Sequence, residues 1–127
     1  MGNKKVFHTD KAAELGGPYS QAIIHNDLIF LSGQGAIDPE TNMVFHGTIE
    51  EETKITLNNI RIILEEAGSS LEKVLQVKVY LLDIREYGRF NEVYKQFFLK
   101  DQPARSCIQA GKLPFGVRVE MDAIACI

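Results

Sequence analysis

Hydrophobic and polar positions switch along this chain between the period of two that is typical of strands and the period of 3.6 that is typical of helices. Segments 22–25 and 28–32 are strand-like, and Asn26 and Asp27 between them tolerate the left-handed backbone of a two-residue turn. This pattern predicts a β-hairpin. The stretch Ser32-Gly33-Gln34-Gly35 follows with two glycines, which let the backbone come close to another group.

Apolar spacing and capping residues predict two helices. Thr48 and Glu51 fit a capping box at the start of the first helix, and Gly68 is placed to end it. Asp83 and Glu86 predict a similar start for the second helix, with Pro103 beyond its end. Each helix carries one face at helical spacing, formed by Thr53, Leu57, Ile60, Leu64 and Ala67 in the first and by Phe90, Val93, Tyr94 and Phe97 in the second. The aromatic stripe of the second helix is interpreted as core packing.

Three further strands are predicted at 74–82, 104–110 and 117–125, so that the order is strands, helix, strand, helix and two strands. This order predicts an α+β fold with both helices on one face of a mixed sheet. In segment 74–82 one strand face carries Leu75, Val77, Val79 and Leu81. The last strand places Val117, Val119, Met121, Ala123 and Ala125 under the helices and Arg118, Glu120, Asp122 and Ile124 on the other face. Two helices cover only one face, so a partly apolar second face predicts packing between subunits.

Composition narrows the class of protein. The 127 residues predict one domain spanning 1–127, with 45% hydrophobic residues available for a core. The net charge is −3 and no block of Lys or Arg occurs, which disfavours nucleic-acid binding. No apolar run approaches the ~20 residues that a membrane-spanning helix needs, and residues 1–6 contain no apolar signal core. Two cysteines form no disulfide framework, so the expected compartment is the reducing cytoplasm.

Four side chains are candidates for chemistry, each with a structural alternative. Arg105 offers a planar fork suited to a carboxylate or phosphate, or else forms an ion pair with Glu120, Asp122 or Asp101. Cys107 is a possible nucleophile or a small buried hydrophobic group. Glu120 is a tuned base or a paired carboxylate, and Tyr19 lines a site or packs with a satisfied hydroxyl. The histidines His8, His25 and His46 are scattered, so no metal site is predicted.

Several short motifs together resemble one known family. They are Gly17-Pro18-Tyr19-Ser20-Gln21, Ser32-Gly33-Gln34, Asn58-Asn59-Ile60, Glu66-Ala67-Gly68, Asn91-Glu92-Val93-Tyr94, Pro103-Ala104-Arg105-Ser106-Cys107, Leu113-Pro114 and Val119-Glu120. Their combination resembles the Rid family, also called YjgF-like, of reactive-intermediate imine deaminases.

The resemblance implies a chorismate-mutase-like α+β fold and a homotrimer whose sheets form a central β-barrel, with three clefts between subunits. It implies hydrolysis of 2-imino acids, the tautomers of reactive enamines, to 2-keto acids and ammonia, with 2-iminopropanoate and 2-iminobutanoate as examples and with no metal or organic cofactor. By position, Arg105 would bind the substrate carboxylate and Glu120 would activate the attacking water. The backbone of Gly33 and Cys107 would contact the substrate, and the cleft would be lined by Tyr19, Ser32 and Asn91.

Four departures from the family pattern bear on substrate preference, and one of them is Met121-Asp122 in place of the usual Ile-Glu, near the expected subunit contacts. Gly35 stands where relatives usually carry an aliphatic residue, and it would enlarge or loosen the cleft. Gln102 precedes Pro103, at a position where relatives usually carry a hydrophobic or small polar residue. Gln109 lies in the segment Ile108-Gln109-Ala110-Gly111-Lys112, which replaces the sequence V-E-V-A-R that is commoner in the family and lies near the expected subunit contacts.

Two other classes of function remain as alternatives. One is a regulator that binds a 2-keto acid or an amino acid without turnover, for which a carboxylate such as Glu120 beside the bound anion is unfavourable. The other is ribonuclease or translation-inhibitor activity, which the acidic composition disfavours.

Overall fold

The computed structural model describes residues 3–127, so the first two residues of the N-terminal stretch lie outside the described part of the chain. Six strands and two helices follow one another, with single turns of 3-10 helix between some of them. In chain order they are β1 (Lys5–Phe7), β2 (Ala22–His25), β3 (Leu28–Gln34), α1 (Ile49–Glu66), β4 (Val74–Leu81), α2 (Tyr87–Phe97), β5 (Ala104–Gln109) and β6 (Val119–Cys126).

The strands form one mixed sheet in the order β1-β2-β3-β6-β4-β5. All neighbouring pairs are antiparallel except β4 and β5, which run parallel because α2 connects them as a crossover. Both helices pack on one face of this sheet and also against each other. The α+β architecture expected from the order of elements is therefore confirmed.

Local sequence rules account for the predicted turns and helix ends. Asn26 adopts a left-handed φ of 53° in the two-residue turn between β2 and β3. The Thr48 side chain accepts the backbone N–H of Glu51, and the Glu51 carboxylate accepts the Thr48 N–H, which completes the capping box of α1. Gly68 follows the helix with a φ of 87°, which an L-residue rarely adopts.

The core lies between the helices and the sheet. Its largest fully buried side chains come from α1, from the middle strands and from Phe90 of α2, and they include Ile29, Ile49, Leu57, Ile60, Ile63, Leu64, Leu81 and Met121. The inward face predicted for the last strand is confirmed, since Val117, Val119, Met121, Ala123 and Ala125 are all buried. Successive side chains of β6 thus point alternately to the face covered by the helices and to the open face.

Three local features differ from the predictions. Strand β1 pairs along β2 through Lys5–Phe7, a segment too short to show periodicity. Leu75 is 48% exposed rather than buried, because the register between β4 and β6 shifts between Val74 and Gln76 and Val74 takes the inward position. Asp83 caps a 3-10 turn through the N–H of Arg85, and α2 begins only at Tyr87.

The second face of the sheet carries no helix among the residues described. Partly exposed apolar side chains such as Phe30 and Ile108 lie beside polar groups there, and the Tyr80 hydroxyl donates to the Asp122 carboxylate at 3.3 Å. The mixed character predicted for this face is therefore present. Within residues 3–127, neither helix is long and apolar enough to cross a membrane.

Candidate functional site

A cavity of about 330 Å³ opens where β3 leaves the sheet and β6 enters it. The loop before β2, the end of β3 and the loop before β6 form its walls. Its polar wall is formed by Glu14, Tyr19, Gln21, Ser32, Gly33, Gln34 and Glu120, and its apolar wall by Ala13, Leu15, Gly35, Ile37, Pro114, Phe115 and Val117. Four residues predicted for the site, Tyr19, Ser32, Gly33 and Glu120, therefore lie around one cavity.

Gly33 and Glu120 are in direct contact at this cavity. The pairing of β3 with β6 shifts register between Leu31 and Gln34, so that Ser32 and Gly33 lie in a bulge. A Cβ atom added at Gly33 would lie 2.5 Å from Oε2 of Glu120, a distance that real side chains do not show. The glycine is therefore required for the carboxylate to lie against the backbone at this point.

Glu120 is a half-buried carboxylate with a raised pKa. Burial raises the pKa of its carboxyl above the ordinary value, and the nearby charge of Asp122 raises this pKa further. No salt bridge joins Glu120 to a cation in the part of the chain that the structure describes. A carboxylate with a raised pKa takes up a proton more readily near neutral pH.

Tyr19 and Ser32 form one edge of the cavity. The Tyr19 side chain is 58% exposed in the single chain, so it is not part of the core. Its ring lies against Gly17, where an added Cβ would meet Cε2 at 2.6 Å. The Ser32 hydroxyl donates to the carbonyl of Ser20 at 2.5 Å, which ties the Tyr19 loop to β3.

Two buried amides, which the sequence reasoning did not identify, hold the walls of the cavity in place. Asn59 on α1 donates to the carbonyl of Ile37 at 2.8 Å and accepts the N–H of Ala13 at 3.4 Å. Gln21 accepts the N–H of Thr9 at 2.8 Å and donates to its carbonyl at 3.1 Å. Both residues occur within the quoted motifs, Gln21 in Gly17-Pro18-Tyr19-Ser20-Gln21 and Asn59 in Asn58-Asn59-Ile60, and those motifs were the only signal for them.

Arg105 lies outside this cavity, against the aromatic residues of α2. The guanidinium carbon is 4.7 Å from the ring centre of Tyr94 and 5.5 Å from those of Phe90 and Tyr87. One Nη2–H donates to the Tyr87 hydroxyl at 2.9 Å. The aromatic stripe interpreted as core packing therefore has a second role, because it also stacks on the guanidinium.

The predicted ion-pair alternative for Arg105 is wrong within the chain. Across residues 3–127, Arg105 makes no salt bridge with Glu120, Asp122, Asp101 or any other carboxylate. Its positive charge is held by ring faces and a phenol, neither of which neutralises it. The fork consequently keeps donors for an external anion such as a carboxylate.

Cys107 and Asn91 lie on the same side of the sheet as Arg105. Burial raises the pKa of the Cys107 thiol, and the opposing effect of Arg105 is smaller. The thiol therefore remains protonated near neutral pH and is a poor nucleophile. Cys107 packs against the core, and Asn91 lies one helical turn after Tyr87 on α2.

The register of the sheet separates the two predicted catalytic residues. Arg105 pairs with Val77 of β4, which faces the helices, whereas Glu120 pairs with Tyr80, which faces the open side. Alternate residues of a strand point to opposite faces. Within one chain, therefore, Arg105 belongs to the helix-covered face and Glu120 to the open face. The structure brings together Tyr19, Ser32, Gly33 and Glu120 around the cavity. It places Cys107 near Arg105 on the other face, and Asn91 on the helix whose aromatic side chains contact Arg105.

Two of the other departures from the family pattern have structural roles. The Gln102 amide donates to the carbonyl of Phe98 at 3.0 Å, at the end of α2. The Gln109 side chain accepts the N–H of Ile84 at 2.9 Å and joins the end of β5 to the turn before α2. Neither residue lines the cavity.

Comparison with known proteins gives consistent matches over almost the whole chain. The family model described as Endoribonuclease L-PSP matches residues 9–127. A RutC family protein of Pyrococcus abyssi is 48% identical over 122 residues, which cover 96% of each chain. A 2-iminobutanoate/2-iminopropanoate deaminase of Bos taurus is 42% identical over 96% of this chain and 89% of its own. The crystal structure of E. coli TdcF with bound serine superposes with a TM-score of 0.90 at 34% identity, covering 98% of this chain and 99% of TdcF.

Proposed function

Because this chain belongs to the Endoribonuclease L-PSP family, also called YjgF/RutC or Rid, we propose that it is a hydrolase that converts 2-imino acids to 2-keto acids and ammonia. The observation that carries the proposal is Glu120, a half-buried carboxylate with a raised pKa that lies against Gly33 in the wall of a cavity. The relatives named as deaminases support the same reaction.

Glu120 is proposed to act on the attacking water. An iminium carbon is already electrophilic, so the reaction needs a positioned water and a base rather than a protein nucleophile. The carboxylate takes a proton from the water as the water oxygen bonds to the iminium carbon, which gives a carbinolamine. The carboxyl then returns that proton to the amine nitrogen. The C–N bond breaks and ammonia leaves while the carboxylate takes the proton of the carbinolamine hydroxyl, so that the carbonyl forms, and this proton passes to ammonia to give ammonium. The raised pKa favours these transfers, because it lies nearer to neutral pH than that of an exposed carboxyl.

Arg105 is proposed to bind the substrate carboxylate. A guanidinium holds a carboxylate through two parallel N–H···O bonds, which fixes the orientation of the anion as well as its position. The hydrogen bond to Tyr87 and the stack on Tyr94 restrict the rotation of the Arg105 fork before the substrate arrives. A preorganised fork loses less entropy on binding.

In this proposal, the group around Glu120 and the group around Arg105 form one site only where two subunits contact each other. Arg105 and Glu120 face opposite sides of one sheet, so one substrate contacts both only if a second copy supplies one of them. A homotrimer in which the open sheet faces form a barrel provides three equivalent clefts of this kind. Phe30 and Ile108, both exposed in the single chain, would be covered in that assembly.

A binding protein without turnover is the second candidate function. The serine-bound structure of the relative TdcF favours it, because an amino acid carries the carboxylate that Arg105 would bind. A pure carboxylate receptor gains nothing from Glu120, since two like charges in one site repel each other. The ribonuclease alternative is supported by the family description alone, while the net charge of −3 opposes it.

A coupled assay tests the proposal. Serine or threonine dehydratase generates 2-aminoacrylate or 2-aminocrotonate, whose imine tautomers are followed by absorbance with and without this protein. We expect faster decay and stoichiometric release of ammonia and 2-keto acid. The Glu120→Gln variant, which keeps the shape of the side chain, is the control. Binding of 2-keto acid with no change in the decay rate would instead support the regulator.

A further inference from the structure

Gly35 lines the cavity at a place where neither the backbone nor the packing requires glycine. The backbone of Gly35 does not have a positive φ, unlike that of glycines 16, 17, 68 and 116. A Cβ added at Gly35 would lie 3.5 Å from Cδ1 of Ile37 and 3.7 Å from Cγ2 of Val117, which are ordinary van der Waals distances. Gly33 differs, since a Cβ there would clash with Glu120 at 2.5 Å. The missing side chain of Gly35 therefore leaves room for one methyl group in contact with Ile37 and Val117.

This space belongs to the apolar end of the cavity. Gly35 is itself buried, and its neighbours Ile37 and Val117 line the cavity together with Leu15 and Phe115. The reacting carbon in the proposed function lies near Gly33 and Glu120. Two residues of extended chain span about 7 Å, so Gly35 lies beyond the reach of the methyl group of 2-iminopropanoate. A longer side chain on the substrate would fill this end.

The buried amide behind this end is already engaged by the protein. Asn59 donates to the carbonyls of Ile37 and Gly35 and accepts the N–H of Ala13, so it offers no donor to a substrate at Gly35. A hydroxyl or charge placed against the apolar side chains of Ile37 and Val117 would lose its hydrogen bonds to water, which is unfavourable.

We infer that Gly35 is the specificity-determining position of the cavity and that the preferred substrates are 2-imino acids with apolar side chains larger than ethyl, such as those derived from leucine, methionine or phenylalanine. The inference rests on the proposed function and names its substrate class. Gly35 affects specificity because it has no side chain. A larger residue at this position would shorten the cavity from the apolar end, while Glu120 and Gly33 would stay in place.

The test measures kcat/KM for a series of imines made in the assay by an L-amino acid oxidase with catalase and trapped by semicarbazide. The amino acids are alanine, 2-aminobutyrate, leucine, methionine and phenylalanine. We expect the wild-type protein to prefer the last three. Gly35→Val should lower kcat/KM for them by about tenfold or more, as a poorly fitting methylene does in an apolar pocket, while the alanine-derived imine changes little.

Gly35→Ala is the second variant, because its Cβ makes only ordinary contacts and the fold should be kept. Gly111→Ala is the matched control, since it adds a methyl group at an exposed position with no atom within 4 Å. A wild-type preference for the small imines, or variants with an unchanged preference, would overturn the inference and leave the proposed function standing. Hydrolysis of no imine at all by the wild-type protein would overturn the proposed function itself.

Discussion

Arg105 and Glu120 lie on opposite faces of the sheet, three residues out of register across β4. Arg105 pairs with Val77 and Glu120 with Tyr80, and these two β4 residues point in opposite directions. The carboxylate-binding fork and the water base of the proposed reaction therefore belong to different surfaces of one chain. The proposed activity therefore requires that at least two copies of the chain associate.

Mixing two inactive variants tests this condition. Arg105→Ala and Glu120→Gln are each expected to be inactive alone. Unfolded together in equal amounts and refolded, they should recover about a quarter of the wild-type activity, since random assembly of a trimer leaves about a quarter of the clefts with both residues intact. Light scattering on the refolded sample should give three times the 14.3 kDa chain mass. Either a monomer or a mixture that stays inactive beside an active wild-type control contradicts the shared cleft.

Substitution of Arg105 should abolish hydrolysis without unfolding the protein. Loss of a desolvated charged partner costs about 2–5 kcal/mol, so Arg105→Ala should lower kcat/KM by roughly 30-fold or more. Arg105→Lys should fail nearly as badly, because an ammonium group lacks the planar fork. The variants are compared by kinetics after their assembly has been verified. Near wild-type kcat/KM for Arg105→Ala would show that the site assignment is wrong.

Tyr87→Phe separates the positioning of Arg105 from its charge. The variant removes the 2.9 Å hydrogen bond from Nη2 and keeps the ring under the guanidinium. A hydrogen bond contributes about 1 kcal/mol net. Its loss therefore predicts a rise in KM of roughly fivefold, with a smaller change in kcat. Tyr94→Phe is a second variant of the same cluster, because the buried Tyr94 hydroxyl also lies near the Arg105 guanidinium. An unchanged KM in Tyr87→Phe would contradict a positioning role for Tyr87.

Cys107→Ala should keep most of the activity. Burial raises the pKa of this thiol, and the proposed route contains no covalent intermediate. Kinetics of the variant and mass spectrometry of the wild-type protein during turnover provide the check. A trapped adduct on Cys107, or complete loss of turnover in a folded variant, would replace the water mechanism by a covalent one.

Glu120→Gln should lose activity and gain stability at neutral pH. A carboxyl whose pKa is raised in the folded state is more costly to ionise there than in the unfolded chain. Its ionisation therefore destabilises the fold as pH rises through the ordinary value of 4.5 to the raised value, and this loss persists at higher pH. The Tm of the variant should exceed that of the wild type at pH 7–8, and the difference should shrink below pH 4. A Tm difference independent of pH would contradict this environment for Glu120.

The sequence by itself determined the elements whose signals are local. The turn at Asn26, the capping box of Thr48 with Glu51 and the end of α1 at Gly68 depend on residues a few positions apart, and all three predictions are confirmed. Alternation on β6 also assigned its two faces, because strand geometry has a period of two. The mixed apolar and polar character of the open face also followed from this alternation, while its packing against other subunits stays a prediction.

Only the tertiary structure decided features that depend on distant segments. A register shift exposed Leu75, and pairing with β2 created β1. The stack of Arg105 on the α2 aromatics joins residues that apolar spacing alone assigned to a core. Sequence motifs placed Arg105 and Glu120 in one site, while the sheet register placed them on opposite faces. The physical reason is that the face to which a side chain points follows from its position in the alternation of its own strand. Which side chains of two strands lie side by side depends instead on the register of the strands, and in the proposed assembly it also depends on the neighbouring subunit.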